Sequence, residues 1–239
     1  MPIVYQVLGS GEPLILIHGL SGSMRWWRRN IAALSRHYRV YSIDLVGFGE
    51  SRGRHPFVLS EAASYLAAWM ERVGIGRAVV VGHSMGGLIA ADLAAEHPDR
   101  TARLVLVDGA VLPFGYGYAR HLIGLMRALW YTPIGFLPVL VIDAWRAGPR
   151  RVLSAGRQLL KADIRGKLDR IEAPTLLVWG ERDTVVPLEI GRRLCRRLRR
   201  AELVVIPSAG HNPMWDCPDR FNHAVLAFLG VAARRPRPG

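Results

Sequence analysis

Residues 79–88 read Val-Val-Val-Gly-His-Ser-Met-Gly-Gly-Leu: an apolar β-branched run, a Gly-x-Ser-x-Gly core, then a small-residue run of helical character. A strand that passes directly into a helix must turn very sharply, and Ser84 stands at the apex of that turn. Gly82 and Gly86 suit it, because side chains two residues either side of the serine would collide there. Ser84 itself is expected in a strained conformation that pushes its hydroxyl into the open.

The rest of the chain repeats the theme. Short apolar runs predict strands at Leu14–Ile17, Arg39–Ile43, Ala78–Val81, Leu104–Val107, Thr175–Trp179 and Leu203–Ile206. Helical stretches are predicted at Met24–Ser35, Leu59–Val73, Gly87–Glu96, Leu188–Leu198 and Asp219–Leu229. Short buried strands separated by helices indicate an α/β fold: a mostly parallel central sheet with helices on both faces. Ahead of them, Ile3–Leu8 and the turn Gly9-Ser10-Gly11 suggest one antiparallel strand.

One segment breaks the alternation. From Val111 to Ile171 the chain is helical in character and unusually apolar. This predicts a core of residues 1–110 and 172–231, a compact helical cap of residues 111–171 over the carboxyl edge of the sheet, and a frayed Arg/Pro-rich tail, 232–239. Met126, Trp130, Phe136 and Leu140 are candidate walls of a substrate pocket, although each could equally pack the cap onto the core. As a group they favour a substrate with an apolar portion.

Composition narrows the setting. No basic region followed by an apolar core opens the chain, so no signal peptide is expected. The longest apolar stretch, His121 to Ile142, is broken by Arg127, Pro133, Gly135 and Pro138, which argues against a membrane span. Cys195 and Cys217 are too few for a disulfide framework and lack metal-ligand spacing, and a cytoplasmic setting follows. The formal charge is +13, and only Lys161 and Lys167 are lysines among 32 basic residues. A nucleic-acid or acidic-membrane partner is one reading of this charge. The arginines are spread along the chain, however, and solvated helix faces are the simpler reading, so no nucleic-acid partner is expected.

A serine hydroxyl is a weak nucleophile at neutral pH and needs a base, which in turn needs an orienting acid. Asp183, in Gly180-Glu181-Arg182-Asp183, and His211, in Gly210-His211-Asn212-Pro213, each follow an apolar strand and should emerge with Ser84 on one rim of the sheet. His211 is the expected base and Asp183 its orienting acid, with Asp108 the alternative acid. His83, His18 and Asp44 read as structural, and Glu181 as solvated. Acyl transfer also needs oxyanion donors. The backbone N–H groups of Met85, directly after the nucleophile, and of Leu20, in the loop His18–Ser23, are the candidates.

These segments, together with Asp44-Leu45-Val46-Gly47-Phe48-Gly49-Glu50-Ser51, resemble the α/β-hydrolase superfamily in its capped branch, in family order and over nearly all the chain outside the cap. The resemblance implies a serine hydrolase, with a carboxylesterase acting through an acyl-enzyme as the leading expectation and a small-molecule ester as its substrate. Lactonase, thioesterase, monoacylglycerol lipase, carbon–carbon hydrolase and cofactor-free perhydrolase chemistries share the triad. A ligand-binding receptor on the same fold is a further alternative. The serine at position 84 sets the chain apart from the dehalogenase and epoxide-hydrolase branches, which carry aspartate there. Compared with relatives, the N-terminus has room for only one strand before Gly9 and the cap is compact, which implies an open pocket. No cofactor and no metal are expected, and the chain should be a monomer or homodimer.

Overall fold

The computed structural model describes residues 3–53, 55–113 and 118–231, with residues 118–122 described by their backbone alone. The tail expected at 232–239 lies outside them. Seven strands form one sheet in the order β1-β3-β2-β4-β5-β6-β7. They are β1 (Val4–Leu8), β2 (Pro13–Ile17), β3 (Arg39–Asp44), β4 (Ala78–His83), β5 (Thr101–Val107), β6 (Thr175–Gly180) and β7 (Ala201–Ile206). Only β1 runs antiparallel, with Val4 opposite Asp44 and Leu8 opposite Val40. The remaining pairs are parallel.

Side-chain alternation sorts the strand residues between two cores. Leu14, Leu16, Val79, Val81, Val105, Val107, Leu176 and Val178 face one apolar cluster. Ile15, Ile17, Val80, Leu104, Leu106, Leu177 and Trp179 face the other. Against the first pack α1 (Ile31–Leu34) and α9 (Pro218–Phe228), through Leu34, Phe221 and Val225. Against the second pack α2 (Ala62–Arg72), α3 (Met85–Glu96) and α7 (Leu188–Arg197), through Leu66, Trp69, Leu88, Ile190 and Leu194. Because both faces are covered, the central strands need no polar face, which is why they read as continuous apolar runs.

The helix expected over Met24–Ser35 is divided. A 3₁₀ turn covers Met24–Trp27 and α1 starts only at Ile31. Tertiary contacts override the local pattern here: the buried Asn30 amide donates to the Met214 carbonyl and the Asn222 side chain across the core. The α4 (Tyr118–Tyr131), α5 (Leu137–Ala147) and α6 (Pro149–Lys161) helices lie between β5 and β6, and α8 (Pro213–Asp216) follows β7. Phe136 and Val139 join the first cluster, and Ala147, Ala155 and Leu159 join the second. The inserted helices therefore straddle the sheet. No helix among the described residues is long and apolar enough to cross a membrane.

Candidate active site

The chain passes outward in opposite directions from β2 and β4, which are neighbours, so their carboxyl ends bound the topological switch point where open α/β sheets bind ligands. Ser84 follows β4 directly. Its backbone, φ 52° and ψ −115°, is strained by about 1–3 kcal/mol. Hydrogen bonds hold it there: the Ser84 N–H donates to Val107 O at 2.9 Å, and its carbonyl accepts from Gly87 and Ala110. A Cβ on Gly82 would lie 2.3 Å from Gly86 O, and one on Gly86 2.5 Å from His18 O, so no side chain fits at either position.

His211 and Asp183 come from the loops after β7 and β6. These loops are pressed so closely that a Cβ on Gly180 would lie 1.9 Å from Gly210 O. His211 Nε2 is 3.1 Å from Ser84 Oγ, and His211 Nδ1 is 2.8 Å from Asp183 Oδ2. The carboxylate holds the imidazole proton on Nδ1, which leaves Nε2 free to accept the serine hydroxyl. The other Asp183 oxygen accepts the N–H groups of Val185 and Val186 at 2.8 and 3.0 Å, so the carboxylate cannot swing. The three side chains named from the sequence thus meet in one hydrogen-bonded line.

The other histidines and acids have different work. His83 is buried and donates from Nε2 to the His211 carbonyl at 2.7 Å. Burial, reinforced by the adjacent His211, holds its pKa well below the ordinary value, so it is neutral and braces the His211 loop. His18, lowered chiefly by burial, donates from Nδ1 to Gly19 O and accepts from the Leu45 N–H. It fixes the turn that carries Leu20. Asp44 accepts the N–H groups of Met24 and Glu50, and Glu181 accepts that of Ser208. The Met85 N–H is the first of α3 and has no carbonyl one turn earlier to bond.

Asp108, the alternative acid, is fully buried at the end of β5 and accepts the Gly180 N–H at 2.9 Å. Burial, and then the neighbouring Asp183 charge, raises its pKa well above the ordinary carboxylate range, so it keeps its proton. His83, Asp108 and His211 stand close enough to suggest a metal site. Both His211 nitrogens are already engaged by Asp183 and Ser84, so only His83 Nδ1 and Asp108 Oδ2 are left without a partner, one donor short of the three protein ligands a metal site needs.

Two acids that sequence reasoning missed complete the site. Asp143 on α5 is the only acidic residue between positions 109 and 162, which was the available signal. It is buried, accepts from Ser23 Oγ at 2.8 Å and Trp26 Nε1 at 3.0 Å, and pairs with Arg25. It thereby ties the inserted helices to the loop after β2. Asp143→Ala should leave the Ser23 hydroxyl proton and the Trp26 indole N–H buried without an acceptor. The expected destabilisation is about 3 kcal/mol, or a melting temperature lower by roughly 6–12 °C. Thermal unfolding followed by circular dichroism checks this, and an unchanged midpoint would refute the tie.

Asp216 on α8 accepts the Gly210 N–H at 2.8 Å, and burial raises its pKa to about 6 from 3.8. Between those values the folded protein holds a proton that the unfolded chain has released. Stability from this group is therefore full below pH 3.8 and is lost as pH rises through about 6. Asp216→Asn keeps an acceptor for Gly210 and removes the titration. The variant should be more stable than wild type by about 3 kcal/mol at pH 8, with the gap closing by pH 4. Melting curves across that range test it; a constant gap would contradict it.

The pocket walls expected on the inserted helices need correction. Met126 and Trp130 are 62% and 89% exposed. The reason is that α4 lies on its Gly124 side, where Thr184 Oγ1 donates to Gly124 O at 2.7 Å, and this leaves both side chains in solvent. Phe136 is fully buried and stacks on Trp215 at 4.2 Å, with Trp26 edge-on at 5.4 Å. Leu140, half-buried, packs against the same cluster. Both side chains anchor α5 to the core.

The comparisons agree with this architecture. A family model described as the alpha/beta hydrolase family matches residues 14–224. The chain is 32% identical over 266 aligned positions to the 2-hydroxy-6-oxononadienedioate/2-hydroxy-6-oxononatrienedioate hydrolase of Burkholderia vietnamiensis, covering 94% of this chain and 90% of that protein. It is 31% identical to the pimeloyl-(acyl-carrier protein) methyl ester esterase of Neisseria meningitidis, covering 91% and 93%. A solved thermophilic esterase from Thermogutta terrifontis superposes with a TM-score of 0.84 at 25% identity, over 95% of this chain and 93% of that one. The match runs from β2 to α9 and takes in the elbow and both loops that face it, and on that ground this hydrolase belongs to the alpha/beta hydrolase family.

Proposed function

We propose that this chain is a serine hydrolase of carboxylic esters with an apolar portion. The observation that carries the reading is the unbroken line from Ser84 Oγ through His211 to Asp183, at 3.1 and 2.8 Å. Ser84 attacks the ester carbonyl while His211 Nε2 takes its proton and Asp183 stabilises the resulting imidazolium. The oxyanion accepts the N–H groups of Leu20 and Met85, the latter aided by the positive end of α3. His211 then protonates the departing alkoxide. Water deprotonated by the same nitrogen releases the acid from the acyl-enzyme. Residues 111–171 act as the cap over this site. A reducing, cytoplasmic setting suits the two free cysteines.

The segment after β2 holds no free cation for a dianionic substrate such as the dioate in one relative's name. Bound carboxylates need unengaged cations. After the loop that carries Leu20, Arg25 pairs with Asp143, Arg28 stacks on Trp215 at 4.4 Å, and Arg29 donates to Trp215 O at 2.7 Å. The test is hydrolysis of a p-nitrophenyl ester series from acetate to palmitate beside a dioate substrate. Turnover of the esters with a chain-length optimum is expected. Turnover of the dioate alone would overturn the ester reading.

A further inference from the structure

The surface of the inserted helices is unusual for a protein exposed only to water. Along α4, the turn after it, α5 and α6, Met126, Trp130, Ile134, Val141, Trp145 and Leu153 are 62%, 89%, 85%, 66%, 80% and 55% exposed. The spacing from 126 to 130 on α4 and from 141 to 145 on α5 puts each pair on one side of its helix, and Ile134 lies in the turn between the two helices. Isolated exposed apolar side chains are ordinary, but a run of this size with two outward tryptophans marks an interaction surface. Arg127, Arg150, Arg157 and Lys161 share these helices, are exposed and make no ion pair among the described residues. Asp143, the only acid between positions 109 and 162, is buried beneath.

We infer that this face docks on an anionic lipid surface, with the tryptophans and aliphatic tips in the headgroup region and the arginines against lipid phosphates. Exposed tryptophan beside unpaired arginine, on helices too short to span, is the chemistry of a segment that lies on a bilayer. A second copy fits less well, because self-pairing would bring two sets of unpaired cations together. Position adds a consequence. The inner side of α4 sits on the Asp183 and His211 loops: Thr184 bonds Gly124, and a Cβ on Gly210 would lie 3.1 Å from Tyr131 Cβ. Docking therefore brings the triad rim to the lipid surface, where apolar esters concentrate. The docking itself does not depend on the catalytic reading.

The test is co-sedimentation of the full chain with phosphatidylcholine vesicles and with vesicles also containing phosphatidylglycerol, at low and high salt. Two variants accompany it, Ile134→Ser with Trp145→Ser, and Arg150→Glu with Arg157→Glu, each checked for an unchanged melting temperature. Wild type should sediment with the phosphatidylglycerol vesicles, and binding should weaken about tenfold or more without the anionic lipid, in high salt and in either variant. No sedimentation of wild type, or sedimentation of both variants equal to that of wild type, overturns the proposal. So does a dimer by light scattering that Trp145→Ser dissociates while vesicles go unbound, which would give the face to a second copy. Ser84→Ala should bind vesicles as wild type does, so a failed ester reading and a failed docking reading are separable.

Discussion

Ser84→Ala is expected to lower kcat on a short p-nitrophenyl ester by about a million-fold while KM stays within a small factor. The side chain removed is the attacking atom, and nothing beside it can substitute. His83 is neutral and turned to the His211 carbonyl, and Asp108 keeps its proton. The backbone donors at Leu20 and Met85 survive the change, so the residual rate should exceed that of water by about a thousand-fold. The fold should survive as well, because the elbow is held by backbone hydrogen bonds to Val107, Gly87 and Ala110 and not by the hydroxyl. A loss of less than about a hundred-fold would mean that the main route of hydrolysis runs elsewhere.

Asp183→Asn should cost about ten-thousand-fold in kcat with little change in KM. The geometry fixes why. The asparagine oxygen would stay with the Val185 and Val186 N–H groups, which now bind Asp183 Oδ1 at 2.8 and 3.0 Å. Its NH₂ would then face His211 Nδ1 and drive the imidazole proton to Nε2, where it blocks acceptance from Ser84. Asp108 modifies the outcome, because loss of the Asp183 charge removes one reason for it to stay protonated. Asp108→Asn added to Asp183→Asn should therefore lower the rate further than Asp108→Asn does alone. Steady-state kinetics on the two single variants and the double variant measure the coupling.

Much of the sheet was legible because its strands are buried on both sides. A run such as Val79–Val81 or Leu104–Val107 has no polar face to blur it, and glycines or turn residues mark its ends. The elbow was legible for a steric reason, since only glycine fits at 82 and 86. The order Ser84, Asp183, His211 could be read because Ser84 directly follows a strand and the other two lie in the short loops that follow strands. What escaped depends on contacts between distant segments. Asn30 breaks the expected Met24–Ser35 helix through partners at 214 and 222. Asp143 and Asp216 carry no motif, and their importance lies in the backbone and side-chain donors that converge on them. Helical spacing gives a stripe but not its direction. That is how Trp130 could be expected in a pocket when α4 turns it to solvent.

The central claim is that Ser84 is a nucleophile activated by His211. The most direct measurement is the intact mass of wild type, Ser84→Ala and His211→Ala after brief exposure to a fluorophosphonate. The account predicts a single phosphonyl adduct on wild type, mapped to Ser84, with slow labelling of His211→Ala and none of Ser84→Ala. An unlabelled wild type, or equal labelling of wild type and Ser84→Ala, would contradict it.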